Sequence, residues 1–131
     1  MRRKRYLEKL ELFEKEMEFI KSHDIVDDVT ERALCHALEV CVDITMDVAA
    51  MVIKDMGLVV EDDYTNIEKL EKEGVIGKEE GESIRKFNGL RNAIVHRYDR
   101  LDLDMVRKGM KRVDELYEAL VKLVRIGDRG G

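Results

Sequence analysis

The fold is decided by residues 27–56, which read DDVTERALCHALEVCVDITMDVAAMVIKDM. Apolar side chains recur every three or four positions through this stretch, which is the spacing of an α-helix. The apolar stripe is wide, and the polar side chains crowd into one narrow ridge of Arg32, His36, Glu39, Asp43 and Asp47. A helix that is apolar around most of its circumference is buried on more than one side. In a small domain the second side often belongs to another subunit, so the pattern favours a homodimer.

The segments on either side predict further helices. Residues 3–22 form an amphipathic helix, and Gly57 ends the long helix. Residues 65–68, Thr-Asn-Ile-Glu, have the spacing of a capping box and predict a short helix that stops at Gly74. A fourth helix begins near residue 78, and a last helix covers residues 106–124. We expect an all-α, up-down bundle of four to five helices, with residues 1–126 as one domain and 127–131 as a flexible C-terminal tail.

Composition agrees with a helical cytoplasmic protein. The 131 residues include no proline and no tryptophan, and 40% are charged. The net charge of −5 argues against binding nucleic acid by bulk electrostatics, but it leaves room for a local positive site. Cys35 and Cys41 are expected to be buried thiols in a reducing compartment, with no disulfide between them. We find no stretch apolar enough to span a bilayer and expect no membrane partner.

A polar cluster ends the fourth predicted helix. Residues 91–98 read Arg-Asn-Ala-Ile-Val-His-Arg-Tyr, an R-N-x-x-x-H-x-Y pattern. Residues 85–100 carry a local charge of +4, because Asp99 alone opposes Arg85, Lys86, Arg91, Arg97 and Arg100. A fixed cation can stabilise a crowded phosphorane, and a nearby imidazole can transfer protons. The cluster therefore has the residue types needed to cleave RNA through its own 2′-hydroxyl.

Helix geometry separates the two central residues of the cluster. At about 100° per residue, Arg91 and His96 lie about 140° apart on a straight helix, which is too far for one small site. Either the helix loosens at its C-terminal end, or residues of two subunits meet across a dimer axis. A structural role is the alternative, because Arg and His near a helix C-terminus also bind its last carbonyl groups.

Other chemistry has little support in the sequence. His23, His36 and His96 are scattered, and there is no CxxC, phosphate-binding glycine loop or nucleophile elbow. His36 with Glu39 fits a polar ridge better than a metal site. We therefore expect neither a metal nor a cofactor.

The chain from about residue 5 to 125 resembles the HEPN superfamily, specifically the HepT-like toxins that pair with MNT-type nucleotidyltransferase antitoxins. Arg91, His96 and Tyr98 match that family's R-x4-H-x-Y signature, and Asn92 fits the polar position after the arginine. Three further segments look like the family: residues 31–34 with Asp47, residues 58–60 and residues 87–92. The resemblance implies a homodimeric, metal-independent endoribonuclease with an HEPN-type bundle.

By this resemblance, Arg91 and His96 are expected to be catalytic, and Asn92 to support them. Tyr98 is expected to accept AMP from the antitoxin, which silences the toxin. Neighbouring basic side chains are expected to bind RNA; these are Arg85, Lys86, Arg97 and Arg100. One alternative is a non-catalytic interaction module that binds the nucleotidyltransferase and accepts AMP. Another is a helper protein that binds small nucleotides at the basic end of the fourth helix.

Overall fold

The computed structural model describes residues 2–96 and 101–130, and in these ranges it contains six α-helices and no β-strand. The predicted all-α fold is confirmed. The first and second helices match their predicted bounds to within one residue, and the fourth helix begins at residue 78 as predicted but ends earlier, at Val95. The helices are α1 (Arg2–Ser22), α2 (Asp28–Asp55), α3 (Asp63–Lys72), α4 (Lys78–Val95), α5 (Leu103–Lys111) and α6 (Val113–Gly130).

Helix α2 is the centre of the bundle. It packs against all five other helices, and thirteen of its 28 residues are buried. The polar ridge lies on its open side, where Arg32, His36 and Asp47 are exposed. Helices of the same chain therefore cover much of the wide apolar surface, although Val29 of α2 remains 74% exposed, and the homodimer stays a prediction. The width of an apolar stripe reports how much surface is buried, but not which chain buries it.

Aspartates cap both α2 and α3. The Asp27 carboxylate accepts the Thr30 N–H at 2.8 Å, and the Thr30 hydroxyl accepts the Asp27 N–H at 3.0 Å, which makes a reciprocal capping box. Helix α3 starts earlier than predicted, because Asp62 is its cap and accepts the Thr65 N–H at 2.9 Å. The predicted capping box that begins at Thr65 is wrong, since Thr65 already lies inside the first turn of α3.

Two glycines follow α2 and α3 as predicted. Gly57 has a φ of 79° and Gly74 a φ of 73°, a left-handed conformation that favours glycine and lets the chain leave a helix. Cys35 and Cys41 are buried and form no disulfide, as expected. Burial, with the nearby charge of Glu16, raises the pKa of Cys41 to about 12. None of the helices described is both long and apolar enough to cross a membrane.

The C-terminal segment differs from its prediction in two ways. Helix α5 ends at Lys111 and α6 begins at Val113, so one predicted helix is two. The apolar spacing continues unbroken through Val106, Met110 and Val113, which is why periodicity does not reveal the break. Helix α6 also continues to Gly130, so residues 127–130 are helical rather than a frayed tail, and the predicted boundary at residue 126 does not coincide with the end of α6.

Gly127 explains why α6 continues. The residue is buried against the ring of Tyr6, and a Cβ built on it would lie 2.2 Å from Tyr6 Cζ. Tyr6 is fully buried, and its hydroxyl donates a hydrogen bond to Asp55 Oδ2 at 2.7 Å. The missing side chain of Gly127 therefore lets the end of α6 pack against α1.

We expect Gly127→Ala to destabilise the protein by about 1–3 kcal/mol, because the added methyl group overlaps a ring that has no space to move into. Urea unfolding measures this change. Gly89→Ala in α4 is the matched control, since its Cβ meets no atom within 4 Å. That variant should gain about 0.5–1 kcal/mol from the better helix propensity of alanine. A Gly127→Ala protein as stable as the wild type would contradict the packing of α6 on Tyr6.

Candidate active site

Arg91 lies where the inward-facing stripe of α4 leaves the core. Ile84, Asn88, Arg91 and Val95 follow at three- and four-residue spacing on one side of the helix. Ile84 and Asn88 are buried and Arg91 is half-buried, whereas Val95 is 42% exposed. Helix α4 thus emerges from the bundle over its last turn, and the predicted catalytic arginine lies at this transition.

The side chain of Arg91 is held by α2. Its Nε–H donates to Asp43 Oδ1 at 2.9 Å, and a longer contact of 3.4 Å joins Nη1 to Asn92 Oδ1. Asp43 lies on the polar ridge of α2, and both partners remain partly exposed, with 30% of the Arg91 side chain and 46% of the Asp43 side chain accessible. An arginine of α4 is therefore tied to a carboxylate 48 positions earlier in the chain.

A second carboxylate from α3 acts on the same arginine. Burial raises the pKa of Asp63, the positive charge of Arg91 opposes that shift, and the charge of Asp43 adds to it. Asp62 and Asp47 act on Asp63 in the same direction as Asp43. The immediate surroundings of Arg91 are thus acidic, although its neighbours in the sequence are basic.

Arg85 makes a different kind of ion pair. Its two terminal nitrogens both bind Glu71 of α3, with Nη1 donating to Oε2 at 3.1 Å and Nη2 donating to Oε1. The hydrogen bonds to Glu71 raise the pKa of Arg85 further above its ordinary value. The Glu71 carboxylate therefore occupies the donors that Arg85 would offer to an RNA phosphate, and the residue joins α3 to α4.

Lys86 lies on another side of α4. It lines a cavity of about 500 Å³ between α4 and α5, next to Phe87, Leu90 and Met105. Arg91 and His96 do not line this cavity. The structure therefore separates Lys86 and Arg85 from Arg91, although all three belong to the same basic stretch of sequence.

His96 ends α4. Its backbone has left the helical conformation, with φ −101° and ψ 26°, while its N–H still donates to Asn92 O at 2.9 Å. The residues of this last turn other than Ile94 are exposed: Asn92, Ala93, Val95 and His96. Helix α4 therefore ends with His96 as its C-cap, and no hydrogen bond between His96 and Arg91 is present among the described residues.

The remaining residues of the predicted site fall on residues 97–100, outside the described part of the chain. These are Arg97, Arg100 and the predicted AMP acceptor Tyr98. Within residues 2–96 and 101–130, no group of three or more His, Cys, Asp or Glu side chains is arranged to hold a metal ion.

Comparison with known proteins assigns the chain to a family. Residues 3–123 match the model of the family described as Ribonuclease HepT-like. The chain belongs to the HepT-like family. A relative from Archaeoglobus fulgidus, provisionally named as an RNase, is 50% identical over 129 residues, and the match covers 98% of this HepT-like chain and 98% of that one.

Two solved structures share the fold of this HepT-like protein. A toxin–antitoxin crystallised with AMP-PNP superposes with a TM-score of 0.83 at 18% identity, covering 91% of this chain and 96% of that one. A tri-AMPylated HEPN toxin from Shewanella oneidensis, in complex with an MNT antitoxin, has a TM-score of 0.79 at 19% identity and covers 92% of this chain and 94% of that one. At these identities the likeness establishes the fold alone, and it confirms the predicted HEPN-like bundle.

The sequence did not identify the two carboxylates that surround Arg91 in this HepT-like chain. Asp43 was visible only as one of five polar residues on the ridge of α2, and Asp63 preceded the predicted start of the short third helix at residue 65. No spacing rule connects either of them to residue 91. A signal did exist for Asp43, because a charged residue beside a wide apolar face needs a partner or solvent.

Proposed function

We propose that this protein is the toxin component of a toxin–antitoxin pair and that it cleaves RNA as a metal-independent endoribonuclease. Arg91 stabilises the charge that develops on the phosphorane, and His96 transfers protons to and from the reacting oxygens. Asn92, which contacts Arg91, supports it. The observation that carries the proposal is the membership of the HepT-like family together with the position of Arg91 and His96 at the same open end of α4.

The proposed site belongs to a homodimer. Arg91 faces α2 while His96 lies exposed past the end of α4, so a second subunit is the simplest way to place an imidazole opposite the guanidinium. Apolar side chains are exposed in the same region: Val95 follows Arg91 by one turn, and Tyr64 and Val59 are 59% and 71% exposed next to the start of α3. A partner subunit that covers them would also exclude water from the reacting phosphate.

The proposed partner in regulation is an MNT-type nucleotidyltransferase, and the proposed AMP acceptor is Tyr98. Support comes from the Shewanella oneidensis relative in fold, which is described as AMPylated and in complex with an MNT antitoxin. Lys86, Arg97 and Arg100 are proposed to guide RNA towards the site in the cytoplasm. Arg85 is also among the proposed RNA-binding residues, although it would first have to leave Glu71.

The test is RNA cleavage by purified protein without AMP. We expect total cellular RNA to be cut in the presence of EDTA, leaving 2′,3′-cyclic phosphate ends, because the 2′-hydroxyl is the nucleophile and no activated water attacks. Gel electrophoresis shows cleavage, and sensitivity of the ends to a cyclic phosphatase identifies the product. Activity that EDTA abolishes and magnesium restores would contradict the mechanism.

A non-catalytic interaction module is the second candidate. It is favoured by the carboxylates around the basic residues, since Asp43 pairs with Arg91 and Glu71 pairs with Arg85. Such a module would bind the nucleotidyltransferase and accept AMP without cutting RNA. The same cleavage experiment separates the two candidates, because the module would leave RNA intact with and without EDTA.

A further inference from the structure

We propose that Asp43 is a positioning residue for Arg91, which orients the guanidinium so that its terminal nitrogens face the RNA phosphate. This inference rests on the proposed function, in which Arg91 contacts that phosphate. It assigns a role to an α2 residue that the R-x4-H-x-Y signature does not contain.

The geometry of the contact supports orientation. A guanidinium offers five N–H donors in a rigid fork, and two of them on the terminal nitrogens can bind a phosphate together. Asp43 accepts the Nε–H, and the other hydrogen bond of Arg91 within residues 2–96 and 101–130 runs from Nη1 to Asn92 at 3.4 Å. Among the described residues Nη2 has no hydrogen-bond partner, so the terminal nitrogens of Arg91 stay available to bind a phosphate.

The contrast with Arg85 shows that this arrangement is not a general property of the ion pairs in this fold. Arg85 also projects from α4 and also meets a carboxylate from a neighbouring helix. Glu71, however, binds both of its terminal nitrogens, which leaves little of the fork to bind a ligand. Glu71 therefore binds Arg85 through both terminal nitrogens, whereas Asp43 binds Arg91 through Nε.

Asp43 is also well placed to hold Arg91 firmly. It projects from α2, which is the most extensively packed helix of the bundle and is packed directly against α4. A free arginine side chain samples many rotamers, and restricting them before the substrate binds removes part of the entropic cost of reaching the transition state. A carboxylate on a rigid neighbouring helix provides that restriction.

Asp43 has a second and opposite effect, which makes the proposal testable. Its negative charge lies beside the place where the RNA phosphate would bind, and Asp63 adds to it. Removing the charge of Asp43 should therefore weaken catalysis while making RNA binding easier. Replacing a residue that only stabilises the fold would not weaken catalysis and strengthen RNA binding at the same time.

The test compares Asp43→Asn with Asp47→Asn. Asp47 lies one turn further along the same ridge, and its carboxylate pairs with Lys9 of α1 at 3.1 Å rather than with Arg91. Both substitutions remove one negative charge near the site, but only the first removes the contact to Nε. The kinetics use a labelled single-stranded oligoribonucleotide of mixed sequence, and urea unfolding checks that both variants are folded.

For Asp43→Asn we expect kcat to fall by at least about tenfold, with KM unchanged or lower. For Asp47→Asn we expect an unchanged kcat and a KM that is likewise unchanged or lower. Nitrogen-15 NMR of the arginine side chains gives a readout independent of activity, with the Arg91 signal assigned from Arg91→Lys. The Nε–H of Arg91 should exchange slowly with solvent in the wild type and in Asp47→Asn, and rapidly in Asp43→Asn.

A kcat for Asp43→Asn within twofold of the Asp47→Asn value, or an unchanged Nε–H exchange rate, would overturn the inference. Failure of the proposed function looks different, since the wild-type protein would then leave the RNA intact. In that case the exchange measurement alone decides whether Asp43 orients Arg91.

Discussion

Replacing Arg91 or His96 by alanine should nearly eliminate RNA cleavage. We expect His96→Ala to lower kcat by about 10²–10⁴-fold, because a proton donor or acceptor is lost at the reacting oxygens. Arg91→Ala should cost about 10²–10³-fold, because the charge on the phosphorane loses its fixed cation. Both side chains are partly or fully exposed, so neither variant should unfold, and a circular dichroism melt checks this. Cleavage that persists at wild-type rates in either variant would remove that residue from the site.

The same two variants test whether two subunits share the site. Differently tagged Arg91→Ala and His96→Ala chains can be co-expressed and their heterodimers isolated on both tags. A heterodimer still has one intact Arg91 facing one intact His96 across the interface, so it should be more active than either variant alone. Light scattering gives the mass of the assembly. Heterodimers as inactive as their parents, or a monomer mass at micromolar concentration, would contradict a shared site.

Loss of the hydroxyl group at Tyr98 should prevent the proposed nucleotidyltransferase partner from silencing the protein. A nucleotidyltransferase partner with ATP is expected to add AMP to the wild-type protein and stop cleavage. Each AMP brings a phosphodiester anion that pairs with Arg91 or its neighbours and an adenine that obstructs RNA, so inhibition comes from charge and bulk together. Tyr98→Phe should retain most of its cleavage activity and stay active in the presence of the partner.

Intact-mass spectrometry measures the modification directly. Tyr64→Phe is the matched control, because Tyr64 is a tyrosine with 59% exposure near the start of α3. The control should still gain AMP and lose activity, whereas Tyr98→Phe should gain none. AMP found on the Tyr98→Phe protein would place the acceptor on another residue.

Much of the fold was predictable because helices carry their signals locally. The apolar spacing of α1, α2 and α4, the Gly57 and Gly74 stops and the absence of proline are properties of short stretches of chain. The predicted helix boundaries were wrong where the same stretch of sequence fits two different patterns. Asp62 and Thr65 are both acceptable caps, and only one of them can begin α3. The break at Arg112 lies inside an apolar repeat that fits one helix as well as two.

Only those residues of the candidate site that lie on α4 were predictable from the sequence. Arg91, Asn92 and His96 are close in sequence, so their common position at the end of α4 follows from helix geometry. The electrostatic surroundings were not predictable, because they come from α2 and α3. The sequence indicated a positive stretch, whereas the structure places Asp43 on Arg91 and Glu71 on Arg85.

The sequence by itself determined that this protein is a helical bundle with one wide apolar helix, and that Arg91 and His96 lie at the end of the fourth helix. Periodicity and motif spacing are properties of consecutive residues, so they can be recognised without knowing which other residues pack against them. Only the tertiary structure decided that the chain covers α2 with its own helices and that Asp43 meets Arg91. Contacts between residues 48 positions apart depend on how whole helices pack, and that packing is a property of the assembled core.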